Sequence, residues 1–229
     1  MKISAVELNS KNMIDKPILA IETSESICGV AVYFSDEKYF ESELKDKYSH
    51  AERLFNSIDY VMQNASIEMK DIGAIAVSSG PGSFTGLRIG MSAAKGLALG
   101  VNIPIIPVPT FEALALQISE FLQDDQEFII ANNVNKDEIY YAKFQIKDNK
   151  YIFVDELQVM LKSDLSCLDS IKKFGNVFID INQVFDRRWN LAVPSAVYVA
   201  KWAKNFGVDS ATFDFDFLEP NYLKNFIAR

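Results

Sequence analysis

Apolar and polar residues alternate along this chain with a period that changes several times, and each change predicts a new element. Pro17 opens a short apolar run at residues 18–21, and a polar turn at residues 22–26 separates it from a second run at residues 27–34. This pattern predicts a hairpin of two buried strands. After a turn at residues 35–38, residues 39–44 alternate as a third, more exposed strand. The period then lengthens: over residues 49–64, Ala51, Leu54, Phe55, Ile58, Val61 and Met62 share one wide helical stripe. Ser49 is placed to cap that helix, with Glu52 three residues on as in a capping box. Residues 72–77 predict a further buried strand.

The stretch that follows, residues 78–100, is the most distinctive of the chain. It turns through Gly80-Pro81-Gly82 and continues as a helix of small residues that Ser83 or Thr85 can cap. Thr85, Arg88, Ser92 and Lys95 fall on one narrow polar stripe, and the rest of the circumference is apolar. Such a helix needs cover on two sides. Gly86, Gly90, Gly96 and Gly100 each cost about 1 kcal/mol of helix stability against alanine, so close approach of another element to bare backbone is expected.

Beyond it, residues 103–109 predict a strand that three prolines confine to an edge or a crossing between lobes, and Thr110 a cap for a helix over residues 111–122. Residues 127–144 then repeat the layout of residues 17–34: apolar strand, polar turn, apolar strand. Ile21-Glu22 and Ala131-Asn132 take equivalent places, and Ile27 matches Ile139. A repeat of this kind suggests two lobes of one ancestral topology. The remainder predicts a strand at residues 151–160, a helix at 163–174, a short strand at 177–181, and a helix from Pro194 to residue 205 ended by Gly207. The tail from residue 213 reads as extended.

These elements predict an α/β protein: residues 1–16 an N-terminal extension, residues 17–109 a first lobe, and residues 110–229 a second, reduced lobe whose C-terminal segment can pack back on the first. Strands, helix, strand and helix in that order resemble the RNase H-like unit of the actin and sugar-kinase (ASKHA) superfamily, with the second lobe divergent.

Composition narrows the function. A chain of 229 residues that is 49% hydrophobic can bury one substantial core or two small ones. A net charge of -8 argues against gripping a phosphate backbone unaided. No apolar run has the length to span a bilayer, and two distant cysteines, Cys28 and Cys167, without a signal-peptide core, set reduced thiols and a cytoplasmic location as the expectation. With His50 as the single histidine, a two-histidine metal site cannot form within one chain.

Three places could carry chemistry. The Gly80-to-Gly86 loop could cradle an anion on free amides, but it lacks the spacing of a P-loop, and a structural turn is the leading reading. The Glu22-Thr23-Ser24 turn has no glycine before Gly29, and the second-lobe turn at residues 132–138 has none at all, so both places where an actin-like ATPase holds phosphate are eroded. His50 has no partners as a ligand, and no Gly-x-Ser-x-Gly elbow supports a serine triad. Arg88 and Lys95 could meet an anion or a partner's carboxylate, or line a solvated stripe.

The motifs Ile18-Leu-Ala-Ile-Glu-Thr-Ser24, His50-Ala-Glu-Arg-Leu54, Ser79-Gly-Pro-Gly-Ser-Phe-Thr-Gly-Leu-Arg-Ile-Gly90 and Ala94-Lys-Gly-Leu-Ala98 resemble those of the bacterial TsaB family, also called YeaZ. The ending Pro220-Asn-Tyr-Leu223 looks like that family's Pro-x-Tyr-Leu-Arg, with Lys224 for arginine. Glu22 stands where the family usually has aspartate, and Asn132-Asn133 where Asp-Ala-Arg is usual.

The resemblance implies a two-lobed, non-catalytic scaffold subunit. Its larger, metal-binding paralogue TsaD and the ATPase TsaE would support transfer of a threonylcarbamoyl group to adenosine 37 of tRNAs reading codons that begin with A. ATP and metal are then expected on the partners, with no cofactor or metal site of this chain's own and with tRNA contacted only indirectly. Pairing, with TsaD or as a homodimer, is implied through the first two helices, residues 49–64 and 84–99. On these the expected interface residues are Leu54, Phe55, Ile58, Met62, Arg88, Met91, Ala94, Lys95 and Ala98, with Gly80, Gly82, Gly86 and Gly90 as the structural turn. A charge at Met91 or Ala94 is expected to abolish pairing. The alternative is an enzyme: a free-standing actin-like ATPase, or a metallopeptidase-like protein.

Overall fold

A computed structural model of the chain describes residues 15–45, 50–167, 171–178 and 191–223. The hairpin expected at the start is β1 (Ile18–Glu22) and β2 (Ile27–Ser35), with β3 (Lys38–Lys45) along its outer edge. Helix α1 (His50–Ala65) and a short 3-10 turn (Met69–Asp71) carry the chain back to β4 (Ala74–Gly80), parallel to β1. Helix α2 (Phe84–Val101) returns it to β5 (Ile105–Pro109), parallel to β4, which completes a five-stranded sheet of order β3-β2-β1-β4-β5.

After β5 the chain forms α3 (Thr110–Ser119), followed by β6 (Glu127–Asn133), β7 (Glu138–Lys147) and β8 (Lys150–Leu161). With β9 (Lys172–Phe174) these form a four-stranded sheet of order β8-β7-β6-β9. Its first three strands and its parallel fourth repeat the pairing of β3, β2, β1 and β4, as the internal repeat anticipates. The fifth strand has no counterpart among the described residues. Helix α4 (Ala196–Phe206) lies between the two sheets.

Alternation on the strands sorts the core into layers. Leu19, Ile21, Val30, Ile75 and Val77 point to α1 and α2, whose Leu54, Ile58, Val61, Met91, Ala94 and Ala98 meet them. Ala20, Ala31, Ala76 and Val108 point the other way, to Ala113 of α3 and the alanine-rich face of α4. Helix α3 shows its remaining apolar residues, Phe111, Leu114, Ala115 and Ile118, to Phe128, Ile130, Phe144 and Ile146 of the second sheet. Polar links tie these layers together. Trp202 Nε1 donates to the Tyr151 hydroxyl (2.8 Å), which donates to Glu112 (3.0 Å), joining α4, β8 and α3.

Several sequence expectations change. The described parts of residues 163–174 are not helical but lie in a 3-10 turn (Lys162–Cys167) and in β9, because the open edge of β6 takes Lys172–Phe174 as a parallel neighbour. A pattern readable as either period is decided by that vacant edge. The strand expected at residues 177–181 begins as a 3-10 turn (Asn176–Phe178), pinned by Asn176 N–H on Asn132 Oδ1 (2.8 Å), and continues outside the described residues. Helix α3 stops at Ser119, and Thr110 does not cap it: its hydroxyl accepts from Gly80 N–H (3.2 Å) instead. Helix α4 starts after Ser195, with Pro194 one residue before the cap. Ser83, not Thr85, caps α2, accepting from Gly86 N–H (3.3 Å). The expected cap Ser49 and all but the last two residues of the extension at residues 1–16 lie outside the described residues. Among the described residues no helix is long and apolar enough to cross a membrane.

Candidate partner interface

Helix α2 earns its glycines from inside the chain. Thr23, in the β1–β2 turn, donates its hydroxyl to the Gly86 carbonyl (2.8 Å). A Cβ on Gly86 would stand 2.0 Å from the Thr23 carbonyl oxygen, and one on Gly90 2.3 Å from Thr23 Oγ1. No side chain fits there, so these two glycines seat the helix on the hairpin turn, the close approach of another element to bare backbone expected at them. At Gly96 and Gly100 no other described residue comes within 4 Å of where a Cβ would stand, so the close approach expected there is not met among the described residues.

The loop before the helix is locked in the same way. Ser83 N–H donates to the Ser24 carbonyl (2.6 Å), and a Cβ on Gly82 would collide with that residue. Gly80, at φ +111, holds a conformation that side chains rarely adopt. The amides that could have cradled an anion are thus partly committed to protein contacts, in keeping with the structural turn that leads the reading of this loop.

The turn on β1 is committed as well. Glu22 is fully buried; its carboxylate accepts from Ser24 N–H (2.6 Å) and from the hydroxyls of Ser24 and Ser78. Burial pushes its pKa up to about 7, against the lowering effect of those hydrogen bonds. Glu41 accepts from Val197 N–H (3.1 Å) at the start of α4, as a carboxylate at a helix N-terminus should. Loss of water, then Glu41 and Glu22, raise Glu43 to about 7. Three glutamates therefore crowd one end of the first sheet, an environment that disfavours phosphate. In the second lobe, buried Asn132 donates to the Ala192 carbonyl (3.3 Å), and Asn133 N–H to Asn176 Oδ1 (2.7 Å), so that turn is also filled by the chain's own bonds.

Of the residues expected at the interface, the structure divides the set by burial. Leu54, Ile58, Met62, Met91, Ala94 and Ala98 lie in the first-lobe core, buried against the sheet. They cannot touch a partner except where Leu54 reaches the floor of a groove, and a charge at Met91 or Ala94 would break the core and leave pairing untested. The helical stripe that the sequence makes most apolar is the one the sheet covers. Phe55, Arg88 and Lys95 stand on the outer side.

Between α1 and α2 runs an open groove of about 590 Å³, lined by Ala51, Leu54 and Phe55 of α1 and by Phe84, Thr85, Arg88, Ile89, Ser92 and Ala93 of α2. Phe55 is 51% exposed and Phe84 38%. Large aromatic rings left open beside a groove mark a contact surface. Sequence reasoning overlooked Phe84, Ile89 and Tyr222, which packs on Phe84 with ring centroids 5.1 Å apart. The terminal Pro-Asn-Tyr-Leu motif was the only signal for Tyr222. The side chain of His50 lies outside the described residues, and among those described no three His, Cys, Asp or Glu side chains are grouped for a metal.

Residues 45–161 match the family model for TsaD, described as tRNA N6-adenosine threonylcarbamoyltransferase. The TsaB protein of Buchnera aphidicola subsp. Schizaphis graminum, a tRNA threonylcarbamoyladenosine biosynthesis protein, is 33% identical over 71% of this chain and 76% of its own length. The chain belongs to the TsaB family. The TsaB protein of Haemophilus influenzae is 27% identical, over 91% of this chain and 93% of its own. The solved structure of YeaZ from Pseudomonas aeruginosa superposes with a TM-score of 0.70 at 19% identity, covering 91% of this chain and all of that one. The family expected from the motifs is borne out, as is a mixed α/β fold with two sheets, and the TsaB match extends through the second sheet.

Proposed function

We propose that this chain is a non-catalytic subunit of the machinery that makes threonylcarbamoyladenosine in tRNA, binding a TsaD-like paralogue through the α1–α2 face. Membership of the TsaB family supports the pathway. The observation that carries the role is the groove: exposed aromatic side chains on two helices whose inner faces are already satisfied by their own sheet. The committed turns at Glu22 and Asn132, with glutamates where phosphate would sit, support leaving ATP to a TsaE-like partner and the transfer step to the paralogue. The net charge of -8 supports contact with tRNA only through that assembly, in the cytoplasm. In the absence of the paralogue the same face pairs two copies of this chain.

Phe55→Asp tests the reading, because Phe55 is exposed and its loss leaves the core intact. Affinity for the TsaD-like paralogue should fall about 30-fold or more, as for a central aromatic anchor, while the melting temperature holds. Threonylcarbamoyladenosine in digested tRNA should fall when the variant replaces the native chain. Undiminished pairing would refute the face, and ATP hydrolysis by the purified chain alone would refute the non-catalytic role.

A further inference from the structure

The segment after α4 does more than end the chain. Thr212 exchanges two backbone hydrogen bonds with Ile105 of β5 (2.9 Å each), and Phe215 and Leu218 pack against the first-lobe core. Asn221 N–H then donates to the Ser79 carbonyl (2.7 Å), and its own carbonyl oxygen lies 2.8 Å from where a Cβ on Gly80 would stand. This brings Tyr222 to the start of α2. Its hydroxyl accepts from Arg88 Nε (3.0 Å), and the Arg88 guanidinium carbon sits 4.0 Å over the Phe84 ring and 5.9 Å from the Tyr222 ring.

Arg88 is thus held by one nitrogen and by two aromatic rings, and its side chain lines the groove. Among the described residues it forms no ion pair, nor does Lys95 two turns further along α2. In a chain with 31 acidic and 23 basic residues, two cations on one helix face with no carboxylate partner among the described residues are conspicuous. A guanidinium fork fits a carboxylate with two parallel bonds, and a side chain already held in place loses less freedom on binding.

We propose that the C-terminal arm, residues 212–223, builds the charged rim of the partner groove, with Tyr222 as a positioning residue that presents Arg88 to a carboxylate on the TsaD-like paralogue. This rests on the α1–α2 face being the partner surface. Arg88 selects a partner with an acidic side chain opposite it, and the arm couples the far end of the chain to that choice.

The test is a double-mutant cycle on the full chain, read as affinity for the paralogue at low and high salt, with melting curves to check folding. Arg88→Gln should weaken binding about tenfold at low salt and flatten its salt dependence. Arg88→Lys should not restore it, since an ammonium lacks the fork. Tyr222→Ala should weaken binding in the native background and have little further effect beside Arg88→Gln, and Tyr222→Phe, which keeps the ring and loses the acceptor, should fall between. Additive effects of Arg88→Gln and Tyr222→Ala would overturn the positioning role. Unchanged affinity for Arg88→Gln beside a broken Phe55→Asp variant would overturn the charged rim and leave the face standing, whereas intact binding in both would remove the face itself.

Discussion

Glu22→Gln should stabilise the protein above neutral pH and do so in a pH-dependent way. In the folded chain the Glu22 carboxyl is fully buried, and its pKa rises from 4.5 to about 7. Between those values the folded protein keeps a proton that the unfolded chain has released. Its contribution to stability is therefore full below about pH 4.5 and is lost as pH rises through about 7. A displacement of that size is worth about 3 kcal/mol, of which about 2 to 3 kcal/mol falls between pH 5 and pH 8. Glutamine is neutral throughout. Its oxygen can keep the two donors of Ser24, and the Ser78 hydroxyl can turn to accept from the new amide. Urea unfolding of both proteins at pH 5 and pH 8 reads the effect. The variant should gain about 2 to 3 kcal/mol on the native chain between the two pH values. Glu43, raised in both proteins, largely cancels in that difference. A stability difference that does not change between pH 5 and pH 8 would refute the claim that the buried carboxyl retains its proton.

Other substitutions separate inner from outer positions. Gly90→Ala places a methyl group 2.3 Å from Thr23 Oγ1 and should destabilise by about 1–3 kcal/mol, whereas Gly96→Ala, with nothing within 4 Å, should stabilise by about 1 kcal/mol; thermal melts distinguish them. Ser57 on the inner side of α1 buries a hydroxyl that has no hydrogen-bond partner among the described residues, so Ser57→Ala should raise stability by about 1 kcal/mol in denaturant unfolding.

The order of elements through the first lobe was legible because each run is long, strongly apolar and bounded by glycine, proline or a polar turn. The hairpin, α1, β4 and α2 all stand where the pattern places them. Residues 163–178 were not, since Leu165, Ile171, Phe174 and Val177 fit a helix as well as they fit a turn and a strand. Only the vacant edge of β6 separates these, and an edge is a property of the assembled sheet.

The candidate site shows the same division. Sequence alone determined the family, the small-residue helix and the polar stripe of Thr85, Arg88, Ser92 and Lys95, because these depend on residue identity and a local period of 3.6. It could not determine which apolar residues of α1 and α2 face the sheet and which face outward, since the apolar stripe of α1 is wide and α2 is apolar over most of its circumference. Tertiary packing decided that Leu54, Ile58, Met62, Met91, Ala94 and Ala98 belong largely to the core and Phe55, Phe84 and Ile89 to the groove. It also named Thr23 as the element seated on Gly86 and Gly90, and brought Tyr222 to Arg88 across 134 residues of chain. Such contacts join residues far apart in sequence, and no local pattern of hydrophobic and polar positions encodes them.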